Sequence, residues 1–172
     1  MQQLYLTGRH ASALAEQIFT ALNIHPAGYR LQPFSIDGSV RGEALRLLLP
    51  PAEPLLNAVP CRIRVSAQEW VTVYPALERL AVPCLTSAAL VHAPLLLDGL
   101  TADLLSCDAF CTVVRQCLTA QRPVIAVVRE EAESILRTLT PPDRQQWVSV
   151  PDDADERAVL LEHLIAEAAM RF

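Results

Sequence analysis

The chain has 172 residues, of which 52% are hydrophobic, and it carries a formal net charge of −5 at neutral pH. This length suits one domain over residues 1–172 with a sizeable buried core. No apolar run approaches the roughly 18 residues needed to cross a bilayer, and no basic segment precedes an apolar one at the N-terminus. We therefore expect a cytoplasmic protein without membrane insertion.

All 14 basic residues are arginines, and the chain contains no lysine. The arginines are scattered along the chain, which predicts no nucleic-acid partner. Five cysteines are an odd number in a chain without an export signal, so we expect reduced thiols. Cys107 and Cys111 are spaced to share one helix face, but the four histidines show no ligand-like spacing. We interpret the two cysteines as core residues and predict no metal site.

Antiparallel strands follow a first strand and helix in the N-terminal half. The predicted elements are a strand over 2–7, a helix over 11–22, strands over 27–34 and 40–49, a loop over 50–54, and strands over 61–65 and 70–73. Ser12 is the predicted N-cap of the helix. Asp37-Gly38 is a hairpin turn signal between two of the strands. This half therefore predicts an antiparallel hairpin inserted after a strand–helix unit.

Strands and helices alternate in the C-terminal half. The predicted elements are a helix over 75–90, a buried strand over 93–98, a helix over 103–120, a buried strand over 123–128, a helix over 130–139, a strand over 147–150 and a helix over 155–170. Pro83 should break or kink the first of these helices. The alternation predicts an α/β sandwich with a largely parallel central sheet and an inserted antiparallel hairpin.

The turn after the first strand stands where P-loop nucleotide binders carry G-x-x-x-x-G-K-[ST]. The corresponding residues are Gly8-Arg9-His10-Ala11-Ser12-Ala13-Leu14-Ala15. The first glycine of the motif is present. Ala13 replaces the second glycine, Leu14 the phosphate-binding lysine, and Ala15 the magnesium-binding hydroxyl. The frame of a phosphate site is therefore retained while its phosphate-binding side chains are absent.

The order of elements resembles the small single-domain P-loop nucleoside-triphosphatases, a family that includes the cancer-related nucleoside-triphosphatase and its archaeal and bacterial relatives. Four places along almost the whole chain carry the resemblance. They are Leu6-Thr7-Gly8; the hairpin Gly28-Tyr29-Arg30-Leu31-Gln32-Pro33 with Asp37-Gly38-Ser39-Val40-Arg41-Gly42; Leu95-Leu96-Leu97-Asp98 with Leu105, Cys107 and Phe110; and Arg122-Pro123-Val124-Ile125-Ala126 with Asp155-Glu156-Arg157. The resemblance implies a three-layer P-loop NTPase-like sandwich.

This chain departs from the family at the residues that carry chemistry. In the family's Walker B motif Asp98 is retained, but Gly99 replaces the glutamate that would order the attacking water. Ala102 and Leu104 replace the lysine and second glutamate of the same motif. Because phosphoryl transfer depends on positioning and charge stabilisation, several such losses together predict no hydrolysis by the family mechanism.

Five residues form a vestigial nucleotide site by analogy with the family: Gly8, Arg9, His10, Ser12 and Asp98. A helix N-terminus attracts anions without a lysine, so Arg9, His10 and Ser12 are candidates for residual anion binding. The alternative is that Arg9 and His10 form an exposed polar turn. Asp98 would help to hold magnesium in the family; alternatively, it begins a turn or caps the next helix.

We expect a catalytically silent P-loop-fold protein, a pseudoenzyme that acts as a binding or assembly subunit with a protein partner or as a homo-oligomer. An alternative is a binder of nucleotide or another anion without hydrolysis, and a further alternative is a weak nucleoside-triphosphatase. No catalytic residue and no cofactor are predicted; a nucleotide with magnesium is the alternative to the absence of a cofactor. Arg30 and Arg41 lie on the two hairpin strands and could face a ligand, although solvated strand arginines are the commoner case.

Overall fold

The computed structural model describes residues 3–38, 40–48, 58–67, 69–88, 90 and 92–170. Within these residues eight strands form one sheet: β1 (Gln3–Thr7), β2 (Ala27–Ile36), β3 (Val40–Leu48), β4 (Val59–Arg64), β5 (Trp70–Thr72), β6 (Leu95–Leu100), β7 (Val124–Val128) and β8 (Gln145–Ser149). The strand order across the sheet is β5-β4-β3-β2-β6-β7-β1-β8. The predicted loop over 50–54, and residues 2 and 49 of two predicted strands, lie outside the described residues.

The helices are α1 (Ala11–Ala21), α2 in three consecutive segments (Tyr74–Ala76, Leu77–Ala81 and Val82–Ala88), α3 (Ala102–Leu105), α4 (Asp108–Thr119), α5 (Glu133–Leu139) and α6 (Ala154–Ala169). The middle segment of α2 is π-helical and lies directly before Pro83. Since proline has no N–H to donate, the irregularity predicted at Pro83 takes the form of this wider turn, and the helix continues beyond it.

Strands β2, β6, β7, β1 and β8 are parallel, and β2 to β5 form an antiparallel meander. Alternate residues of the parallel strands enter two separate cores. In β1, Leu4 and Leu6 pack with α1 and α6, whereas Tyr5 lies in the larger core with α2 to α5. Burial on both faces explains the continuous apolar runs of these strands. The predicted α/β sandwich with a largely parallel sheet and an inserted hairpin is confirmed.

The hairpin extends beyond one edge of the parallel sheet. Strand β2 pairs with β6 only from Ala27 to Arg30, whereas it pairs with β3 along its whole length to Ile36. The tip of the hairpin therefore lies past the carboxyl-terminal part of β6. This is the edge where ligands bind in open α/β sheets.

Two predicted boundaries were wrong in ways that matter for the site. The helix predicted over 103–120 is two helices, because the Thr101 hydroxyl caps α3 and Cys107 holds the N-cap position of α4. Cys107 therefore lies at the N-cap of α4 and not inside a helix that it shares with Cys111. Its carbonyl oxygen accepts the Cys111 N–H at 2.8 Å in the first turn of α4. Asp98, predicted to end a strand, lies inside β6, which continues to Leu100.

Candidate functional site

The turn between β1 and α1 is built on a glycine that no other residue can replace without strain. Gly8 has a φ of +100°, and a Cβ at this position would lie 2.9 Å from the Val150 carbonyl oxygen. Val150 follows β8 and donates its N–H to the Thr7 carbonyl at 2.9 Å. The close approach of these two chain segments requires the glycine, whether or not the turn binds a ligand.

Helix α1 begins without a side-chain cap. His10 occupies the N-cap position, and its ring lies 3.7 Å from Asp152, a contact that is ionic only when the histidine is protonated. The prediction of Ser12 as N-cap was wrong, because Ser12 is the second residue of the helix. Its hydroxyl instead donates to Asp98 Oδ1 at 2.6 Å. The first amides of α1 have no partner within the helix, which leaves the N-terminus able to attract an anion.

The two positions that carry lysine and hydroxyl in the P-loop motif are part of the apolar core. Leu14 is 2% exposed and Ala15 is fully buried, and both belong to the core cluster that contains Leu4, Leu6 and Ile125. Helical geometry places residues 14 and 15 on the face of α1 that rests on the sheet. A side chain at position 14 therefore points into this core and could reach a phosphate at the turn only if the local packing changed.

Asp98 is bound by side chains of its own chain. The residue is 1% exposed; one carboxylate oxygen accepts the Ser12 hydroxyl, and the other lies 3.4 Å from Arg30 Nε. Arg30 also contacts Glu16 Oε1 of α1 through Nη1 at 3.2 Å. Desolvation by burial raises the pKa of the Asp98 carboxyl, although Ser12 and Arg30 both act to lower it. Asp98 therefore anchors α1 and β2 to β6.

The sequence favoured a solvated position for Arg30, but the structure places this residue beside Asp98. The strand register, which the sequence alone does not give, brings the two together, because Arg30 pairs with Asp98 across the parallel β2–β6 contact. Arginine beside a buried carboxylate offsets part of the cost of burying that charge. An arginine on a strand that precedes a buried Asp-bearing strand is the signal that could have found it.

Gly99 is a backbone requirement of β6. Its φ is +95°, and a Cβ there would lie 2.5 Å from Leu31 Cβ. The β6–β7 register shifts between Asp98 and Leu100, so Gly99 forms a bulge. The bulge returns Leu100 to the core that holds Leu95 and Leu97. A glutamate at this position does not fit the present backbone.

An open cleft of about 690 Å³ lies beside the turn and brings together Gly8, Arg9 and Ser12. Asp98 and His10 are not among its lining residues. Arg129 also lines it and pairs with Glu43 at 3.1 Å. The remaining charged lining residues are three carboxylates, namely Glu130, Glu131 and Glu133. Three carboxylates against two arginines make this cleft a poor host for a polyphosphate.

A nucleotide with magnesium does not fit this donor set. Magnesium takes oxygen ligands in a strict octahedron, but Asp98 Oδ1 already accepts the Ser12 hydroxyl. Asp98 Oδ2 has no hydrogen-bond partner among the described residues and lies 3.4 Å from Arg30 Nε, whose positive charge opposes a cation at this oxygen. The motif's hydroxyl position is the buried Ala15. Within the described residues no group of three or more His, Cys, Asp or Glu side chains could hold a metal ion. Burial raises the pKa of the Cys61 thiol to about 12 and that of Cys117 to about 11, which makes both poor nucleophiles.

No protein-family model matches the chain, and no curated protein sequence matches it. Among solved structures, the chain is similar to the crystal structure of THEP1 from the hyperthermophile Aquifex aeolicus. The TM-score is 0.67 at 14% sequence identity, over 95% of this chain and 96% of that chain. At this identity the likeness shows the fold alone, which is P-loop NTPase-like.

None of the described helices is both long and apolar enough to span a membrane.

Proposed function

We propose that this chain is a catalytically silent, P-loop-fold protein of the cytoplasm that acts as a binding or assembly subunit. We also propose that its motifs are degenerate forms of those in the small single-domain P-loop nucleoside-triphosphatases. The observation that carries the proposal is Asp98: its carboxylate is bound by Ser12 and Arg30 of its own chain. The partner is a protein, either of another kind or a further copy of this chain, and no nucleic acid is expected.

The burial of Leu14 and Ala15 supports the silent part of this proposal. A lysine and a hydroxyl at these positions stabilise the transferring phosphoryl group in active P-loop enzymes. Here both positions contribute apolar packing between α1 and the sheet. Loss of each transition-state contact costs on the order of 3 kcal/mol, so two losses leave little catalysis.

The antiparallel half of the sheet supports the binding part. Phe34, Gly42, Ile63 and Val71 occupy successive cross-strand positions from β2 to β5 and therefore share one sheet face. Val71 is 48% exposed, and Ile36, near Phe34, is 54% exposed. Exposed apolar side chains on one sheet face are a candidate surface for contact with another protein.

Hydrolysis is tested with purified protein, magnesium and ATP or GTP against a matched blank. We expect no turnover above the blank. Metal-dependent turnover that keeps a constant specific activity through purification, and that Asp98→Asn abolishes, would refute the silent assignment. Circular dichroism of the Asp98→Asn variant shows whether its fold is intact.

Assembly is tested by sedimentation over a range of concentrations. For a homo-oligomer we expect a mass above 18.9 kDa that rises with concentration. Val71→Asp should lower this mass, whereas Val159→Asp on the exposed surface of α6 should not. A wild-type mass that stays at the monomer value refutes self-assembly and leaves a partner of another kind as the remaining form of the proposal.

A second candidate function is anion or nucleotide binding without hydrolysis at Gly8, Arg9, His10 and Ser12. The uncapped N-terminus of α1 beside Arg9 favours it. A ligand that binds only the folded state raises its melting temperature. Nucleotides, phosphate or sulfate at millimolar concentration should therefore stabilise the protein, and Arg9→Gln should remove the effect. The absence of any shift would eliminate this candidate.

A further inference from the structure

A second cleft lies behind α1, away from the Gly8 turn. Its volume is about 350 Å³, at the lower end of the range of small-molecule sites. It is enclosed by the last part of α1, the connection to β2, and strands β2 and β3. The lining includes Glu16, Phe19, Pro26, Arg30, Arg46 and Leu48.

The cleft combines apolar and polar walls. Phe19, Ile24, Pro26 and Leu48 supply carbon surface, and all four are buried or half-buried. Charged groups stand beside this surface. An apolar pocket with a few convergent polar groups is the usual design of a small-molecule site.

Two arginines stand side by side on the β2–β3 wall. Arg30 and Arg46 are directly paired in the antiparallel register, so their side chains leave the same sheet face as neighbours. Like charges opposite one another are destabilising unless an anion compensates them. Glu16 and Asp98 compensate Arg30. Arg46 is exposed, and its guanidinium has no ion-pair or hydrogen-bond partner among the described residues.

The charge of the cleft selects the ligand class. Glu16 and Asp98 both contact Arg30, so Arg46 is the lining arginine whose charge has no counter-charge among the described residues. A monoanion neutralises this charge, whereas a dianion would face the Glu16 carboxylate. Guanidinium groups match a planar carboxylate through paired donors. Arg30 is already oriented by Asp98 and Glu16, so binding needs to order only Arg46.

We propose that this cleft binds a small monocarboxylate with an apolar body. The carboxylate bridges Arg30 and Arg46, and the apolar body lies against Phe19 and Leu48. This site is separate from the Gly8 turn and goes beyond the proposed function, since neither silence nor assembly requires it.

The experiment uses 3-phenylpropionate as the probe and 3-phenylpropionamide as its neutral counterpart. Binding to the full chain is measured by calorimetry and by the shift in melting temperature. We expect the carboxylate to bind and the amide to bind about ten-fold or more weaker, because a charge-assisted contact is lost. Inorganic phosphate alone should not reproduce the shift.

Two matched variants separate the site from surface charge. Arg46→Gln removes an exposed guanidinium in the cleft, and we expect affinity to fall about ten-fold or more with an unchanged circular dichroism spectrum. Arg41→Gln removes an exposed arginine of the same strand that lines another surface, so it should bind like the wild type. No binding at 10 mM probe, equal binding of the amide, or equal affinity in Arg46→Gln would overturn the proposal. A shift produced equally by phosphate would overturn the role of the apolar body.

Discussion

The substitution Leu14→Lys tests whether position 14 of α1 belongs to the apolar core. It places a lysine at the position that corresponds to the lysine of the P-loop motif. In the present packing, the new side chain would enter the core formed by Leu4, Leu6 and Ile125, because Leu14 is 2% exposed. An ammonium group there has no carboxylate partner in the cluster.

The expected cost follows from two contributions. Emptying a buried leucine site costs roughly 2–5 kcal/mol, of which the lysine methylenes recover a part. Keeping the amine neutral at pH 7 costs at most about 4.6 kcal/mol, at ~1.4 kcal/mol for each pH unit below its usual pKa of about 10.4. We expect a net loss of about 3–5 kcal/mol, a large share of the total stability of a domain of this size.

Urea unfolding of the wild type, Leu14→Lys and Leu14→Met measures this cost. Methionine keeps apolar volume and should cost less than about 1.5 kcal/mol. The lysine penalty should shrink as pH rises towards 10, since the neutral amine is then favoured in both states. A loss below about 1 kcal/mol would refute the reasoning, because it would mean that the ammonium reaches solvent at the turn and that position 14 still opens onto a phosphate site.

Two further predictions concern β6. Gly99→Ala should destabilise the fold by about 2–5 kcal/mol, because φ is positive at this position and the new Cβ would clash with Leu31. Gly38→Ala is the control: φ is also positive there but the space is open, so the cost should be only about 1–2 kcal/mol. Equal losses of unfolding free energy in urea would exclude the clash at Gly99. The raised pKa of Asp98 means that the folded state holds its proton more tightly than the unfolded state. Relative to Asp98→Asn, wild-type stability should therefore fall as pH rises from about 3.9 to the raised pKa, and a difference that grows with pH would show that Arg30 outweighs desolvation.

The layered fold was predictable because its signals are local. Continuous apolar runs identified β6 and β7 as strands buried on both faces, and Asp37-Gly38 placed the hairpin turn. The division of the predicted helix over 103–120 into α3 and α4 could not be predicted from hydrophobic spacing alone. Apolar residues continue at helical spacing through 103–120, and only the capping hydroxyl of Thr101 and Asp108 in the first turn of α4 signal two separate helix starts.

The site was only partly predictable because its contacts join distant parts of the chain. Ser12, Arg30 and Asp98 meet only once β2 lies beside β6 and α1 covers them, and no local pattern encodes that arrangement. Comparison with the P-loop and Walker B motifs identified Ser12 and Asp98 as site residues, but Ser12 was also predicted to be the N-cap of α1. Gly99 was interpreted as a lost glutamate, although its positive φ makes it a structural element of the strand.

Asp98 shows why an aspartate at a motif position does not by itself imply the chemistry of that motif. A buried carboxylate must have partners, and here the partners are a hydroxyl on α1 and a guanidinium on β2. Removing Asp98 would leave Arg30 beside an apolar strand with Glu16 as its one remaining counter-charge among the described residues. The contacts of Asp98 with α1 and β2 therefore give the residue a structural role that does not depend on a metal ion. The residues that contact it, rather than its own identity, distinguish a structural aspartate from a metal ligand.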